Sequence, residues 1–210
     1  MLASLERLGV QPELRAEPYD PPRVGSTIPF AKDHDHAHYD PEYIRRFWDI
    51  LCWVDAVFLE FKAQYNGKHT PVHLFWHSLD LTYTRFSGRV TPVPPTSVTD
   101  REAYSHEVIS FGFWAGDDHV TEPSFYSYTY PEPREISQAQ LMTADARWID
   151  NAGSSMALLP YDRIRLSKTP EEDLLAFLEG AYLAGAKLAN WDIDALKHDY
   201  ALNVLTGTNP

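Results

Sequence analysis

Most of the side chains that could do chemistry lie between His69 and Arg89, where imidazoles, a carboxylate and arginines alternate with bulky apolar residues. His73 and His77 stand four positions apart. On a helix they would share a face with Asp80 and could bind a divalent metal. On a strand they would lie about 13 Å apart, with Asp80 pointing the other way unless a bulge intervenes. A hydrogen-bonded histidine in or beside the core is the commoner role for such a residue.

A second group of histidines precedes this stretch. His34, His36 and His38 alternate with Asp35, so an extended chain would carry all three imidazoles on one side. Such a tract is typical of loose metal binding. The alternative is a solvated polar segment just before a helix, with no fixed element beneath it. A divalent metal therefore remains a secondary hypothesis for both histidine groups.

The segment from Tyr104 to Glu107 holds adjacent acid and base groups. Its His106-Glu107 pair resembles the beginning of a zinc-protease HExxH motif, but Ser110 stands where the second histidine is required. On a strand, His106 and Glu107 would lie on opposite faces. One of them could therefore face a cleft as a general base, although a structural hydrogen bond is the commoner role.

Two arginines flank a predicted turn at Phe86-Ser87-Gly88. Arg85 and Arg89 could form a forked clamp for the carboxylate or phosphate of an anionic ligand. In a chain with 30 acidic residues they could equally pair with Asp or Glu side chains. Both alternatives stay open.

Aromatic side chains supply further candidates for ligand contact. Tyr126, Tyr128 and Tyr130 alternate with smaller residues and would share one strand face, where they could line a pocket. Such stripes are more often part of the core. Trp76 and Tyr104 lie beside the titratable candidates and complete this set.

The sequence lacks the common nucleotide, hydrolase and redox signatures. It contains no GxxxxGK[ST], no GxGxxG after a strand, no GxSxG and no CxxC. No cofactor is therefore indicated.

Two helices are predicted with defined starts. Asp40-Pro41-Glu42 combines a capping acceptor, a proline at the first helical position and an acid near the positive end of the dipole. Apolar residues then recur at spacings of three and four, which predicts a helix over about 41–65. Thr169-Pro170-Glu171 begins a second helix over about 170–189.

Strands are predicted between these helices, and short turns make antiparallel pairing the expected arrangement. A loop is predicted over 91–99. The fold class is therefore α+β, a mostly antiparallel sheet packed by the two helices. The predicted strands cover 71–86 with a kink near Ser78, 106–114, 125–130, and a hairpin of 146–149 with 155–159.

The termini are predicted to differ from this body. Residues 2–8 suit a short helix stopped by Gly9, and residues 11–30 carry five prolines, which favours an extended arm. The predicted organisation is a short helix and arm over 1–39, a single α+β domain over 40–200 and a frayed tail over 201–210.

Composition limits the partners. The formal charge of −12 would repel nucleic acid and anionic membranes, and no apolar run is long enough to span a bilayer. Cys52, the single cysteine, lies in an apolar segment and is predicted to be a buried, inert thiol. These features predict a soluble cytoplasmic protein, and they leave the oligomeric state open.

Several long motifs resemble an uncharacterised bacterial family known only as a domain of unknown function. They span about residues 28–192 and read PFAKDHDHAHYDPEYIRRFW, HLFWHSLDLTYTRFSGR, REAYSHEVISFGFWAGDD, FYSYTYPEP and LPYDRIR. The resemblance implies no reaction. It implies a version lacking the strand-rich N-terminal half of longer relatives. His77 and Ala115 stand where many relatives have Gly and Pro, whereas His73, Asp80, Arg85, His106 and Glu107 fit the pattern.

Two functional hypotheses follow. In the first, the chain binds or converts a small molecule in a pocket between the strands over 72–86 and 104–114. Its catalytic candidates are His73, Asp80, His106 and Glu107, and its ligand-binding candidates include Arg85 and Arg89. In the second, the same groups form a satisfied buried network in a non-enzymatic interaction module.

Overall fold

The computed structural model describes residues 2–11, 13, 28–35, 38–75, 78–92 and 98–198. Most of the predicted arm, the tail over 201–210, and His36, Trp76 and His77 lie outside the described residues. The chain divides into two compact units, residues 1–45 and 46–210. Each is described by itself.

The first unit contains helix α1 (Leu2–Arg7), a 3-10 turn (Phe30–Lys32) and the start of helix α2 (Pro41–Ala63). Gly9 follows α1 with a φ of 79° and donates its N–H to the Glu6 carbonyl, so the predicted glycine stop is confirmed. Asp40 Oδ1 accepts the backbone N–H groups of Glu42 and Tyr43, which confirms the predicted start of α2.

The second unit is organised around a six-stranded antiparallel sheet, which confirms the α+β fold class. The strands lie in the order β1-β2-β3-β4-β6-β5. Their bounds are β1 His73–Phe75, β2 Asp80–Val90, β3 His106–Trp114, β4 Ser124–Tyr130, β5 Arg147–Asn151 and β6 Ser154–Pro160.

The predicted single strand over 71–86 is wrong. Between Phe75 and Asp80 the chain reverses, so β1 and β2 pair with each other, and His73 lies opposite Thr82. Leu79, in this reversal, has a φ of 54°. The reversal puts His73 and Asp80 on the same sheet face, because directly paired residues of antiparallel strands point the same way.

Helices cover one face of the sheet, and the main core lies between them and the strands. Helix α5 (Pro170–Leu188) and the second-unit part of α2 supply buried apolar residues to a cluster that also contains Tyr83, Ile109 and Phe125. Gly185 allows close approach, because a Cβ there would meet Thr129 Oγ1 at 2.2 Å. The helix contributions to this cluster include Leu51, Val54, Phe58 and Phe61 from α2 and Leu174, Phe177, Leu178 and Ala181 from α5.

Three short helices complete the unit: α3 (Val98–Ala103), α4 (Tyr161–Arg165) and α6 (Ile193–Leu196). Helix α3 begins at Val98, so the predicted loop over 91–99 is wrong at its last two positions. The prediction of a buried thiol is also wrong, because Cys52 is exposed on the outer side of α2. Among the described helices, none has the length and hydropathy needed to cross a bilayer.

Candidate functional site

The face of the sheet opposite the core carries a hollow toward β5, lined in part by Arg147 and Ile149, and two further hollows that adjoin each other. The larger has a volume of about 630 Å³ and is lined by residues of β1 to β4 and by the end of α3. The smaller, of about 210 Å³, lies toward β6 and the loop that follows β3. Asp80, Tyr126 and Tyr128 line both hollows, so the two meet at these residues. We call this continuous depression the open-face cleft.

Asp80 is the best-defined polar group of the cleft. Its Oδ2 accepts a hydrogen bond of 2.5 Å from Tyr126 Oη and one of 2.9 Å from Thr82 Oγ1. The described residues offer no donor to its Oδ1. The side chain is half-buried at the start of β2. Asp80 is thus a carboxylate oriented through one oxygen, with the other left to accept a bond from a ligand or water.

Gly112 explains how Tyr126 reaches Asp80. Gly112 pairs with Thr82 on one side and Tyr126 on the other. A Cβ at Gly112 would meet the Tyr126 ring at 2.3 Å. The ring therefore crosses β3 above the glycine and places its hydroxyl next to Thr82 and Asp80. A glycine inside a strand is typical of such close approaches.

Tyr126 and Tyr128, two of the tyrosines that line the cleft, remain protonated over the ordinary pH range because the pKa of each is raised. Burial is the main cause that raises the pKa of Tyr126 well above its usual value, and the Asp80 charge adds to it. Burial also raises the pKa of Tyr128, with Tyr104 as the next cause. Both phenols therefore act as neutral hydrogen-bonding groups, and Tyr126 can keep donating to Asp80.

Hydroxyl pairs continue from Asp80 across the larger hollow. Thr84 Oγ1 lies 2.9 Å from Ser110 Oγ, and Tyr104 Oη lies 3.2 Å from Tyr128 Oη. Tyr126 and Tyr128 stack with their ring centroids 6.2 Å apart. The floor of the cleft therefore combines aromatic rings with hydroxyls that can donate or accept.

His73 lies next to the Asp80 end of the cleft. It pairs with Thr82, and its ring packs against Phe75 with the centroids 4.6 Å apart. It is half-buried and lines the larger hollow. His73 and Asp80 are diagonal neighbours on the paired strands β1 and β2. The backbones of such neighbours are about 7–8 Å apart, so we expect this separation between the two residues.

His106 lines the opposite end of the larger hollow. It pairs with Val90, whereas Phe113 pairs with Leu81 beside Asp80. The distance along β3 from His106 to Phe113 is therefore roughly 24 Å at a rise of about 3.4 Å per residue. His106 Nδ1 lies 3.1 Å from Ser105 Oγ. His106 and Asp80 therefore belong to one cleft without forming one reacting centre.

Arg85 lies on the core face, away from the cleft, and is 2% exposed. Its Nη2 donates to the Phe61 carbonyl at 2.7 Å, and its guanidinium carbon lies 3.6 Å from the Phe61 ring centroid and 4.5 Å from that of Tyr182. Glu179 Oε2 is 4.0 Å from Nη1. Arg85 is therefore enclosed by the core and does not reach a ligand in the open-face cleft.

Glu107 and Arg89 pair with each other away from the cleft. Arg89 Nη2 lies 2.7 Å from Glu107 Oε2, which also accepts a bond from Ser87 Oγ. The pair coincides with a register shift between β2 and β3. Arg89 also donates to the carbonyls of Ala189 and Asn190, so this pair ties the bulged strand end to the end of α5.

Of the two histidine groups, His34, His38 and His73 belong to the described residues, whereas His36 and His77 lie outside them. His34 and His38 are exposed. Within the described part of the chain, no three His, Cys, Asp or Glu side chains are arranged to hold a metal ion. Trp76 also lies outside it, while Tyr104, Tyr126 and Tyr128 line the cleft.

Several residues of the cleft were not singled out from the sequence. Thr82 and Gly112 place Asp80 and Tyr126, and Trp114 and Asp117 line the smaller hollow. The alternation of side chains along β2 was a usable signal. Asp80 and Thr82 are two positions apart and lie on one face of the strand, whereas Arg85 is an odd number of positions from both and lies on the other. Asp117 offered no such signal because it lies in the loop after β3.

Fold and cleft together define an α+β domain with helices on one sheet face and a polar, aromatic depression on the other. Residues 1–198 match the model of a family described as a family of unknown function, DUF5996, and the chain belongs to that family. The predicted membership in a family of unknown function is confirmed. No curated protein and no solved structure gives a significant match.

Proposed function

We propose that the chain binds a small organic molecule in the open-face cleft, with Asp80 as the central polar contact. The observation that carries this proposal is the asymmetry of Asp80: Oδ2 is held by Tyr126 and Thr82, while Oδ1 has no donor among the described residues. Orienting one carboxylate oxygen through two hydroxyls prepares the other to accept a bond in a fixed direction.

The size and lining of the cleft support this proposal. The larger hollow, at about 630 Å³, lies within the range typical of small-molecule sites. Aromatic rings with a few convergent polar groups are the usual lining of such sites. Here the polar groups are Asp80, the hydroxyl pairs and His73.

An enzymatic version of the proposal uses Asp80 and His73 as the acid and base pair. His73 is the imidazole at the Asp80 end of the cleft, whereas His106 lies at the far end and Glu107 pairs with Arg89. A reacting atom between His73 and Asp80 would lie within reach of both groups.

The ligand need not be anionic. Arg85 and Arg89, the arginines predicted to clamp an anion, bond to protein groups elsewhere. Lys68 is the one lysine or arginine among the described residues lining the larger hollow. We therefore assign no arginine clamp to the cleft.

The second candidate is a non-enzymatic interaction module. The mutual bonding of the hydroxyls, such as Thr84 with Ser110, is the observation that favours it. In that case the open face would be covered by a macromolecular partner, and Asp80 would bond to it. The formal charge of −12 makes nucleic acid the least favoured partner. The single cysteine, which leaves no intrachain disulfide, supports a cytoplasmic location as part of the proposal.

The experiment is a ligand-detected NMR screen of a fragment library divided equally among cationic, anionic and neutral members. Fragments that bind the wild-type protein and lose affinity for Asp80→Asn would support the proposal. The substitution is well matched, because the Asn carbonyl can still accept from Tyr126 and Thr82 while its NH2 replaces the free oxygen. A screen whose hits all bind Asp80→Asn unchanged would overturn it.

A further inference from the structure

We propose that the smaller hollow is an organic-cation subsite, which takes the ammonium or guanidinium group of the ligand while the rest extends into the larger hollow. This inference rests on the proposed function and adds the chemical class of the ligand.

The lining of the smaller hollow is acidic. Asp80 and Asp117 both contribute to it, and no described lining residue is Lys, Arg or His. Tyr126 and Tyr128 also line it and stay neutral, because burial raises the pKa of each phenol. Among the described lining residues, the side-chain charge is therefore negative, which favours a positive group.

The walls of the hollow are aromatic. Trp114 and Tyr126 meet edge to face with their centroids 5.1 Å apart, and Tyr126 stacks on Tyr128. Tyr126 and Trp114 are each 8% exposed, so their ring positions are fixed by packing. The faces of aromatic rings attract cations, and the attraction is larger when the cation is partly desolvated.

The second carboxylate is fixed like the first. Asp117 Oδ1 accepts the backbone N–H groups of His119 and Val120, each at 2.8 Å, and Oδ2 has no donor among the described residues. Gly116 permits this loop, because a Cβ there would meet the Val120 carbonyl at 2.4 Å. In each carboxylate, one oxygen is thus bonded and the other has no donor in the part of the chain that the structure describes.

These features favour an organic cation over a metal ion. Ca²⁺ takes six to eight oxygen ligands, which is more than two carboxylates supply, and Mg²⁺ keeps several waters in its coordination shell, which a hollow walled by aromatic rings does not favour. The described residues contain no group of three candidate metal ligands. Two carboxylates beside the rings of Trp114, Tyr126 and Tyr128 instead suit an alkylammonium or guanidinium group.

The test uses wild-type protein and three probes of nearly equal shape: choline, its neutral isostere 3,3-dimethylbutan-1-ol and the anion 3,3-dimethylbutanoate. A second cation, n-butylguanidinium, covers planar groups. Binding is followed by two-dimensional NMR, with the Trp114 indole N–H assigned through Trp114→Phe. We expect at least one cation to shift the Trp114 signal and to bind at least about tenfold more tightly than the neutral isostere.

Single-residue variants then distinguish the effect of a carboxylate in the hollow from the effect of the net charge of the protein. Asp80→Asn should weaken the cation about tenfold or more, and Asp117→Asn should weaken it several-fold. Glu60→Gln removes the same charge from the exposed surface of α2 and should leave the affinity within about twofold. The comparison of probes on wild-type protein does not depend on the folding of any variant.

Each outcome has a defined meaning. Equal binding of the neutral isostere, preference for the anion, or displacement of the cation by stoichiometric Ca²⁺ would overturn the cation subsite. Neutral or anionic library fragments that still require Asp80 would leave the proposed function standing and refute only this inference. If no fragment and no probe requires Asp80, both fail.

Discussion

A charged side chain on each face of the sheet has a different environment. On the core face, Arg85 is enclosed by aromatic rings and bonded to the Phe61 carbonyl. On the open face, Asp80 lies beside a hollow and is held by two hydroxyls at one oxygen, while its other oxygen has no donor among the described residues. Burial with protein partners is typical of a structural charge, whereas a fixed charge that lacks one partner is typical of a binding site. The two residues lie five positions apart on the same strand.

The largest effect that we expect is a loss of folding stability at alkaline pH, and it arises from tyrosines on the core face. Burial raises the pKa of Tyr182 to about 12 and raises those of Tyr65 and Tyr83 above their usual value. Above pH 10 the unfolded chain loses these protons while the folded chain keeps them, so the free energy of unfolding falls as pH rises. Each retained proton contributes a slope of about 1.4 kcal/mol per pH unit.

The measurement is urea unfolding at a series of pH values from neutrality upward. Tyr182→Phe should flatten the decline between pH 10 and about 12, because its own proton no longer contributes. A variant that declines as steeply as wild type would show that Tyr182 titrates alike in both states.

Truncation of Arg85 should give the largest effect of a single substitution. Arg85→Ala leaves a cavity among the rings of Phe61, Tyr65 and Tyr182, and should lower the free energy of unfolding by about 3–5 kcal/mol. Arg85→Met keeps most of the volume and should cost clearly less, since an apolar side chain can replace a buried ion. Urea unfolding measures both. Equal losses would show that the charge, and not the packing, stabilises this site.

Gly112→Ala should affect both stability and the cleft. Its methyl group overlaps the Tyr126 ring, so the ring must move away from Asp80, at a cost of about 1–3 kcal/mol. Tyr126→Phe keeps the ring and removes only the hydroxyl, and should cost about 1–2 kcal/mol. NMR of Tyr126 and thermal unfolding would measure both variants. An unshifted Tyr126 ring in Gly112→Ala would contradict the proposed role of the glycine.

These residues show how far the sequence could be interpreted. The long helices, β3, β4 and the last hairpin were predicted because apolar periodicity and turn residues are local signals. The reversal before Asp80 was missed, since Ser78-Leu79 carries no turn glycine or proline and Leu79 has a positive φ. That error placed His73 and Asp80 on opposite faces.

The candidate site was predicted only in part. Asp80, His73 and the alternating tyrosines were identified from residue type and spacing. Arg85 and Glu107 were grouped with them because charged residues near one another in sequence were assumed to converge. Alternation along the strands places Arg85 and Glu107 on the sheet face opposite to that of Asp80. Only the tertiary packing shows that the Arg85 guanidinium is enclosed by Phe61 and Tyr182.

Glu107→Gln should have the smallest effect. Its carboxylate pairs with Arg89, whose side chain is 47% exposed, so solvent screening limits the loss to about 0.5–1 kcal/mol. Ligand binding in the cleft should not change, because Glu107 faces away from it. A loss of binding comparable to that of Asp80→Asn would place Glu107 in the site after all.

The most direct test of the account measures binding and stability together in Asp80→Asn and Arg85→Met, with a fragment that binds the wild-type protein. The account predicts that Asp80→Asn loses most of its affinity for the fragment while its free energy of unfolding stays within about 1 kcal/mol of wild type. Arg85→Met should retain affinity and change only in stability. Parallel losses of affinity and stability in both variants would contradict the assignment of separate roles to the two faces.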